Sequence, residues 1–212
     1  AFANISIDGD PRIDQILSKI DNSTTDINSY RKLSKPIIIY ASVHKEDAAI
    51  VTHSTKDSNY NYLVVPHEID KASIDYWIKT LDQNVTLDST GGRWDGGVRI
   101  IDKVGILSKL YAITDYAYVG GGFGMGIHNI LEPASHKNII FIGQKYDSFK
   151  EARDLVKLKA VHVVNKNDNI ASKASLLGST QKEQSVDILR DYIAKQKGSS
   201  KRIAQDILSR IK

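Results

Sequence analysis

Cysteine is absent from the 212 residues. That excludes disulfides, zinc–thiolate centres and a thiol nucleophile together. Proline occurs only four times, and no polar run is long enough to read as a tail or a low-complexity block. No stretch of about 18 apolar residues occurs, so no segment reads as a membrane span, and no secretory leader pattern is present. Charge of one sign does not dominate: the formal balance is +4. Its basic residues are scattered, as on a solvated surface, and nucleic acid is not an expected partner. The first residue is Ala1, and the opening reads like the middle of a longer protein, so a fragment is expected.

What remains is the composition of one sizeable α/β domain. Seven short, nearly continuous apolar runs stand out: Pro36–Tyr40, Tyr60–Val65, Val85–Asp88, Val98–Asp102, Tyr116–Gly120, Asn138–Ile142 and Val161–Val164. Strands buried on both faces of a parallel sheet look like this. Between them lie amphipathic stretches at His44–Thr52, Lys71–Leu81, Gly105–Thr114, Asn129–His136 and Ser148–Leu158, which predict connecting helices. Thr180 and Glu183 make a capping-box pattern ahead of a tail helix, and a final helix carries Ile203, Ile207, Leu208 and Ile211. Alternating strands and helices predict a Rossmann-like parallel sheet with flanking helices. Ligands of such sheets sit beyond the carboxyl ends of the strands.

The loop after the fifth expected strand carries the strongest signal. It reads Gly120-Gly121-Gly122-Phe123-Gly124-Met125-Gly126-Ile127-His128-Asn129, with Glu132 shortly after. Glycines let a backbone approach a ligand and reach positive φ, and a helix start offers free N–H groups to an anion. His128 and Asn129 add side-chain donors, and Glu132 is a candidate acceptor for ribose hydroxyls. The same residues also serve a plain turn, with Asn129 as cap. Neither the dinucleotide fingerprint nor the P-loop fits, because Ile127 and His128 stand where the latter needs Lys and Ser/Thr. After the first strand, Ser42 is a candidate N-cap that could hold phosphate together with His44 and Lys45. His67, after the second strand, is a candidate anion contact or a surface histidine. Asp8-Gly9-Asp10 matches a metal-binding D-x-D pattern but reads better as a turn before Pro11. His53, His136 and His162 have no partners at ligand spacing, and no metal site is assigned anywhere.

In this order the residues resemble the 3-deoxy-manno-octulosonic acid (Kdo) transferase family. The likeness runs through Gly9-Asp10-Pro11-Arg12-Ile13-Asp14, Ala41-Ser42-Val43-His44 with Glu46, Val65-Pro66-His67, Ile101-Asp102, Tyr118-Val119-Gly120-Gly121, His128-Asn129, Leu131-Glu132-Pro133-Ala134 and Phe149-Lys150-Glu151-Ala152. The resemblance implies the C-terminal half of a glycosyltransferase-B fold. Residues 1–35 would then be an interdomain linker with the first helices, and 36–212 the donor-binding domain, with an acceptor domain missing upstream. It implies CMP-Kdo as donor substrate, no cofactor and no metal. A lipid A precursor is the implied acceptor, and the implied location is the cytoplasmic face of the bacterial inner membrane, contacted by the full-length protein. Ser42, His44, His67, Gly120, Gly121, Gly122, His128, Asn129 and Glu132 would meet the donor. The general base would lie in the missing domain, leaving this chain inactive alone. The sequence departs from the family at Val43, at Ile106, at Gly122, and at Pro66-His67, where an arginine is missing. Two other readings stay open: a glycosyltransferase-B half that uses a UDP-sugar, and a non-catalytic Rossmann-like interaction module.

Overall fold

The computed structural model describes residues 6–21, 30 and 33–211. Parts of the expected linker, residues 22–29 and 31–32, lie outside them. Seven strands form one sheet: β1 (Ile37–Val43), β2 (Asn61–Pro66), β3 (Val85–Leu87), β4 (Val98–Ile100), β5 (Tyr116–Val119), β6 (Ile139–Ile142) and β7 (Val161–Val163). Their order is β3-β4-β2-β1-β5-β6-β7, and every pairing is parallel. All seven expected strands are present. The chain leaves β1 for β2 on one side and later returns to place β5 on the other. The mouths of β1 and β5 are therefore adjacent at the point where the strand order reverses, the place such sheets offer to ligands.

The apolar runs are continuous because both faces of the sheet are covered. Alternate side chains point to opposite faces. Ile38, Tyr40, Tyr62, Val64, Tyr118 and Phe141 pack with residues of α2 (Ala48–Ser54), α3 (Lys71–Leu81) and α7 (Ile170–Leu176). Ile39, Ala41, Leu63, Val65 and Ala117 pack with Leu110, Tyr111 and Trp94. Further along, Val119, Ile140 and Ile142 pack with Ile13 and Ile16 of α1 (Pro11–Asp21), Leu131 and Ala134 of α5 (Leu131–Ser135), and Leu155 of α6 (Lys150–Lys157). The same cluster takes in Leu189 and Ile193 of α8 (Ser179–Gln196). The helix α1 thus shares a core with the sheet. It is also pinned from outside: Asp14 accepts the backbone N–H groups of Gly198 (2.6 Å) and Ser200 (2.8 Å) at the start of α9 (Ser199–Arg210). Those hydrogen bonds hold its carboxyl below the usual carboxylate range.

Several helices differ from expectation, and each difference has a local cause. The expected helix at His44–Thr52 is a 3-10 turn at Lys45–Asp47 followed by α2. Gly105–Thr114 shortens to α4 (Leu107–Leu110) and a 3-10 turn at Tyr111–Ile113. Asn129–His136 shortens to α5, whose Asn129 carboxamide oxygen accepts the Leu131 N–H at 2.9 Å. Asn129 thus makes a local turn bond, while the cap position it was expected to fill is Ile130. The tail helix begins at Ser179, and Gln181, not Glu183, reaches back to a backbone amide, that of Gly178 at 3.1 Å. The helix α7 was not expected. Its apolar face is only Ile170, Ala171 and Ala174, too slight a stripe to read, although Asn169 caps it through the Ser172 N–H at 3.0 Å. Asp8-Gly9-Asp10 is irregular backbone leading into α1, not the expected turn: Gly9 has φ 93°, and Asp10 pairs with Arg12 at 2.6 Å, which in turn reaches buried Glu151 at 3.1 Å.

Candidate functional site

The site begins with a defect in β1. Pairing with β2 slips between Ala41 and Val43, and Ser42 between them takes φ 53°. A side chain in this left-handed region costs about 1–2 kcal/mol. Ser42 is therefore a kink inside a strand rather than the expected N-cap. The strand ends one residue beyond the kink, at Val43, and His44 follows at the mouth of the sheet.

Asp47 then organises that mouth. Its side chain is fully buried, at 0% exposure. One oxygen accepts the Tyr118 hydroxyl at 2.6 Å, and the other accepts the backbone N–H groups of His44 at 2.9 Å and Gly121 at 3.0 Å. One carboxylate thus joins the ends of β1 and β5. All three partners are neutral. A buried charge is tolerated when hydrogen bonds replace water, and three are present. Burial, then the nearby Asp47, pushes the Tyr118 hydroxyl far above its ordinary range. Sequence reading missed Asp47 because an acid in Lys45-Glu46-Asp47 looks like helix surface. The available clue was its place three residues after His44, where a carboxylate reaches back to an amide.

Around this carboxylate the fold brings three histidines together. Nε2 of His44 lies 2.8 Å from Nε2 of His128. Ring centres are 4.4 Å apart for His44 and His67, 4.6 Å for His67 and His128, and 5.0 Å for His44 and His128. The three come from the ends of β1, β2 and the β5 loop, so nothing in their spacing along the chain shows that they meet. Burial, then the charges of His67 and His44, holds the His128 imidazole below its ordinary range. It is therefore mostly neutral near pH 7. A hollow of about 250 Å³ opens beside the cluster, lined by His44, His67, Lys45, Glu46, Glu68 and Ser73. A larger hollow, about 800 Å³, lies at the β7 edge beside His162, Leu176 and Ile188, away from the histidines.

The glycine loop has a different job from the one expected of it. A Cβ on Gly120 would sit 2.5 Å from the Ser42 carbonyl oxygen, and one on Gly122 would sit 2.6 Å from the Gly143 Cα. Both glycines are required by backbone packing. The Gly120 amide donates to the Ala41 carbonyl at 2.9 Å and the Gly121 amide to Asp47, so neither is free to cradle an anion. The helices after β1 and β5 are also short, at seven and five residues, which leaves little dipole to offer. What the glycines achieve is placement: the loop folds back so that His128 N–H donates to the Gly120 carbonyl at 3.1 Å. Glu132 stands further on, in α5. Burial raises its carboxyl above the usual range, opposed by Lys19, and its charge also bears on Tyr111. Of the expected site residues, the structure gathers Ser42, His44, His67, Gly120, Gly121, Gly122 and His128 at one mouth. Asn129 is exposed beside it.

No protein-family model matches the chain. Over 107 residues, 47% of this chain and 16% of the relative, it is 32% identical to a bifunctional glycosyltransferase/methyltransferase of Fusobacterium nucleatum. Over 184 residues, 81% of this chain and 42% of the relative, it is 30% identical to a 3-deoxy-D-manno-octulosonic acid transferase of Haemophilus influenzae. Among solved structures it is similar to the C-terminal CMP-Kdo binding domain of WaaA from Acinetobacter baumannii. There the TM-score is 0.56, the identity 22%, and 91% of this chain and 94% of that chain are covered. The fold is that of one half of a glycosyltransferase-B enzyme. More narrowly, the chain is a homologue of the 3-deoxy-D-manno-octulosonic acid transferases. It spans less than half the length of these relatives, 16% and 42% of them.

Proposed function

We propose that this chain is the donor-binding half of a glycosyltransferase that moves Kdo from CMP-Kdo to a lipid A precursor, at the inner membrane of a bacterial cell envelope. Homology to the Kdo transferases supports the activity. The single structural observation that carries the reading is the meeting of His44, His67 and His128 at the mouths of β1, β2 and β5. CMP-Kdo presents two anionic groups, the phosphate and the sugar carboxylate. Imidazole N–H groups at a parallel sheet's mouth suit such groups, and fixed donors there stabilise the charge that grows on a leaving phosphate. Ser42 and Asn129 flank the same mouth and are assigned to the donor. Glu132 is assigned to the ribose, as the first carboxylate after the glycine loop, in α5. No helix among the described residues is long and apolar enough to cross a membrane, so membrane contact is assigned to the full-length protein.

Calorimetry on this chain with CMP and with UDP tests the reading. CMP should bind more tightly than UDP, and His128→Ala should weaken CMP by about ten- to a hundred-fold, the scale of a hydrogen bond to a charged group. Tighter binding of UDP would favour another sugar donor. Binding of neither nucleotide would overturn the proposal.

A further inference from the structure

The three histidines have a second chemistry that no donor requires. We propose that His44, His67 and His128 form a three-nitrogen site for one divalent transition-metal ion, zinc foremost.

Geometry carries the proposal. Each histidine offers one ring nitrogen, and the three nitrogens lie within 4.8 Å of one another. Zinc binds imidazole nitrogen at about 2.0–2.1 Å, so two tetrahedral ligands have their nitrogens about 3.3 Å and their ring centres about 5.2 Å apart. The observed separations are 4.4, 4.6 and 5.0 Å. The rings stand a little closer than that, and the Nε2 atoms of His44 and His128, now 2.8 Å apart, would part by about half an ångström to admit the ion. Each is also anchored through its backbone: His44 N–H to Asp47 at 2.9 Å, His67 N–H to the Val43 carbonyl at 3.0 Å, and His128 N–H to the Gly120 carbonyl at 3.1 Å. Anchored ligands lose little freedom when the ion arrives.

Electrostatics favours the same occupant. Three imidazoles this close cannot all carry protons without like-charge repulsion, whereas one cation takes all three lone pairs. The buried carboxylate of Asp47 has only neutral partners, and a cation beside it would balance that charge. An all-nitrogen set selects zinc, cobalt, nickel or copper, and not magnesium or calcium, which want oxygen. Three protein ligands leave a coordination position open, as in metal sites that also bind a ligand, and the hollow lined by His44 and His67 adjoins it.

The test uses this chain made without a histidine tag, stripped with chelator and dialysed against zinc. Elemental analysis should find one zinc per chain, and cobalt in its place should give visible ligand-field bands. His67→Asn removes an exposed ligand and should weaken metal binding by more than the roughly ten- to hundred-fold that loss of an outer-shell partner costs, with its thermal melt showing that the fold survives. His53→Gln, at an exposed histidine outside the cluster, should change nothing. Zinc retained equally by His67→Asn, or no zinc retained by the unaltered chain, would overturn the inference. The outcome is independent of the donor reading: CMP binding without zinc removes the metal alone, and zinc without CMP removes the donor alone.

Discussion

At the scale of single residues, Asp47 carries more than any group named from the sequence. It is the only described residue that bonds the end of β1, the β5 strand and the glycine loop through one side chain. Asp47→Ala removes both acceptor oxygens and leaves the Tyr118 hydroxyl and the His44 and Gly121 N–H groups without their partner. A buried donor left without a partner costs about 1–3 kcal/mol. Urea denaturation of the variant should show a loss of that order, and its CMP affinity should fall because His44 and Gly121 lose their common anchor. A variant as stable as the parent would mean that Asp47 is not what holds the mouth together. The histidines teach a different lesson at this scale. Their residue type was legible as anion-binding chemistry, but their convergence was not. It depends on three strand ends lying side by side, which only the sheet order fixes.

At the scale of elements, the strands were legible and the helices only partly so, for one physical reason. A strand covered on both faces needs an unbroken apolar run, and Ile139–Ile142 or Ile37–Tyr40 can hardly be read otherwise. A helix that covers only a small patch of sheet needs few apolar residues. The helices α4, α5 and α7 are four, five and seven residues long, so their periodicity has no room to repeat. The bulge in β1 left no signal either, because serine does not announce a left-handed conformation. That strain yields a prediction. Ser42→Gly relieves φ 53° and should stabilise the domain by about 1 kcal/mol, seen as a raised denaturation midpoint. If the hydroxyl touches the donor, the same variant binds CMP more weakly. A gain in stability with unchanged affinity would reduce Ser42 to a structural kink.

At the scale of the whole molecule, stability against pH follows from groups spread over both halves of the sheet. Burial lowers the imidazole range of His136 and of His162, and the ammonium of Lys173 lowers that of His162 further. A base with a depressed folded value contributes stability that is present above its unfolded value, near 6.5, and lost as pH falls through the folded one. Glu132 is raised and has the opposite sign: its contribution is present below its unfolded value, near 4.5, and lost as pH rises through the folded one. Stability should therefore begin to decline just below pH 6.5, before the lowered carboxylates of Asp14 and Asp168 are reached. His162 sits in β7 against Phe141, with its Nε2 buried and unpartnered. Replacing it with phenylalanine should flatten that decline in melts recorded from pH 7 to 5. An unaltered slope would assign the decline to other groups.

The contact of Gly122 with Gly143 has a mechanical consequence. The loops that follow β5 and β6 interlock there backbone to backbone, and they are laced further by Lys145, whose amide and ammonium both donate to loop carbonyls while its own carbonyl accepts from Ile127. Neither loop can swing without dragging the other. Whatever enters this mouth meets a stiff floor on the β5 side.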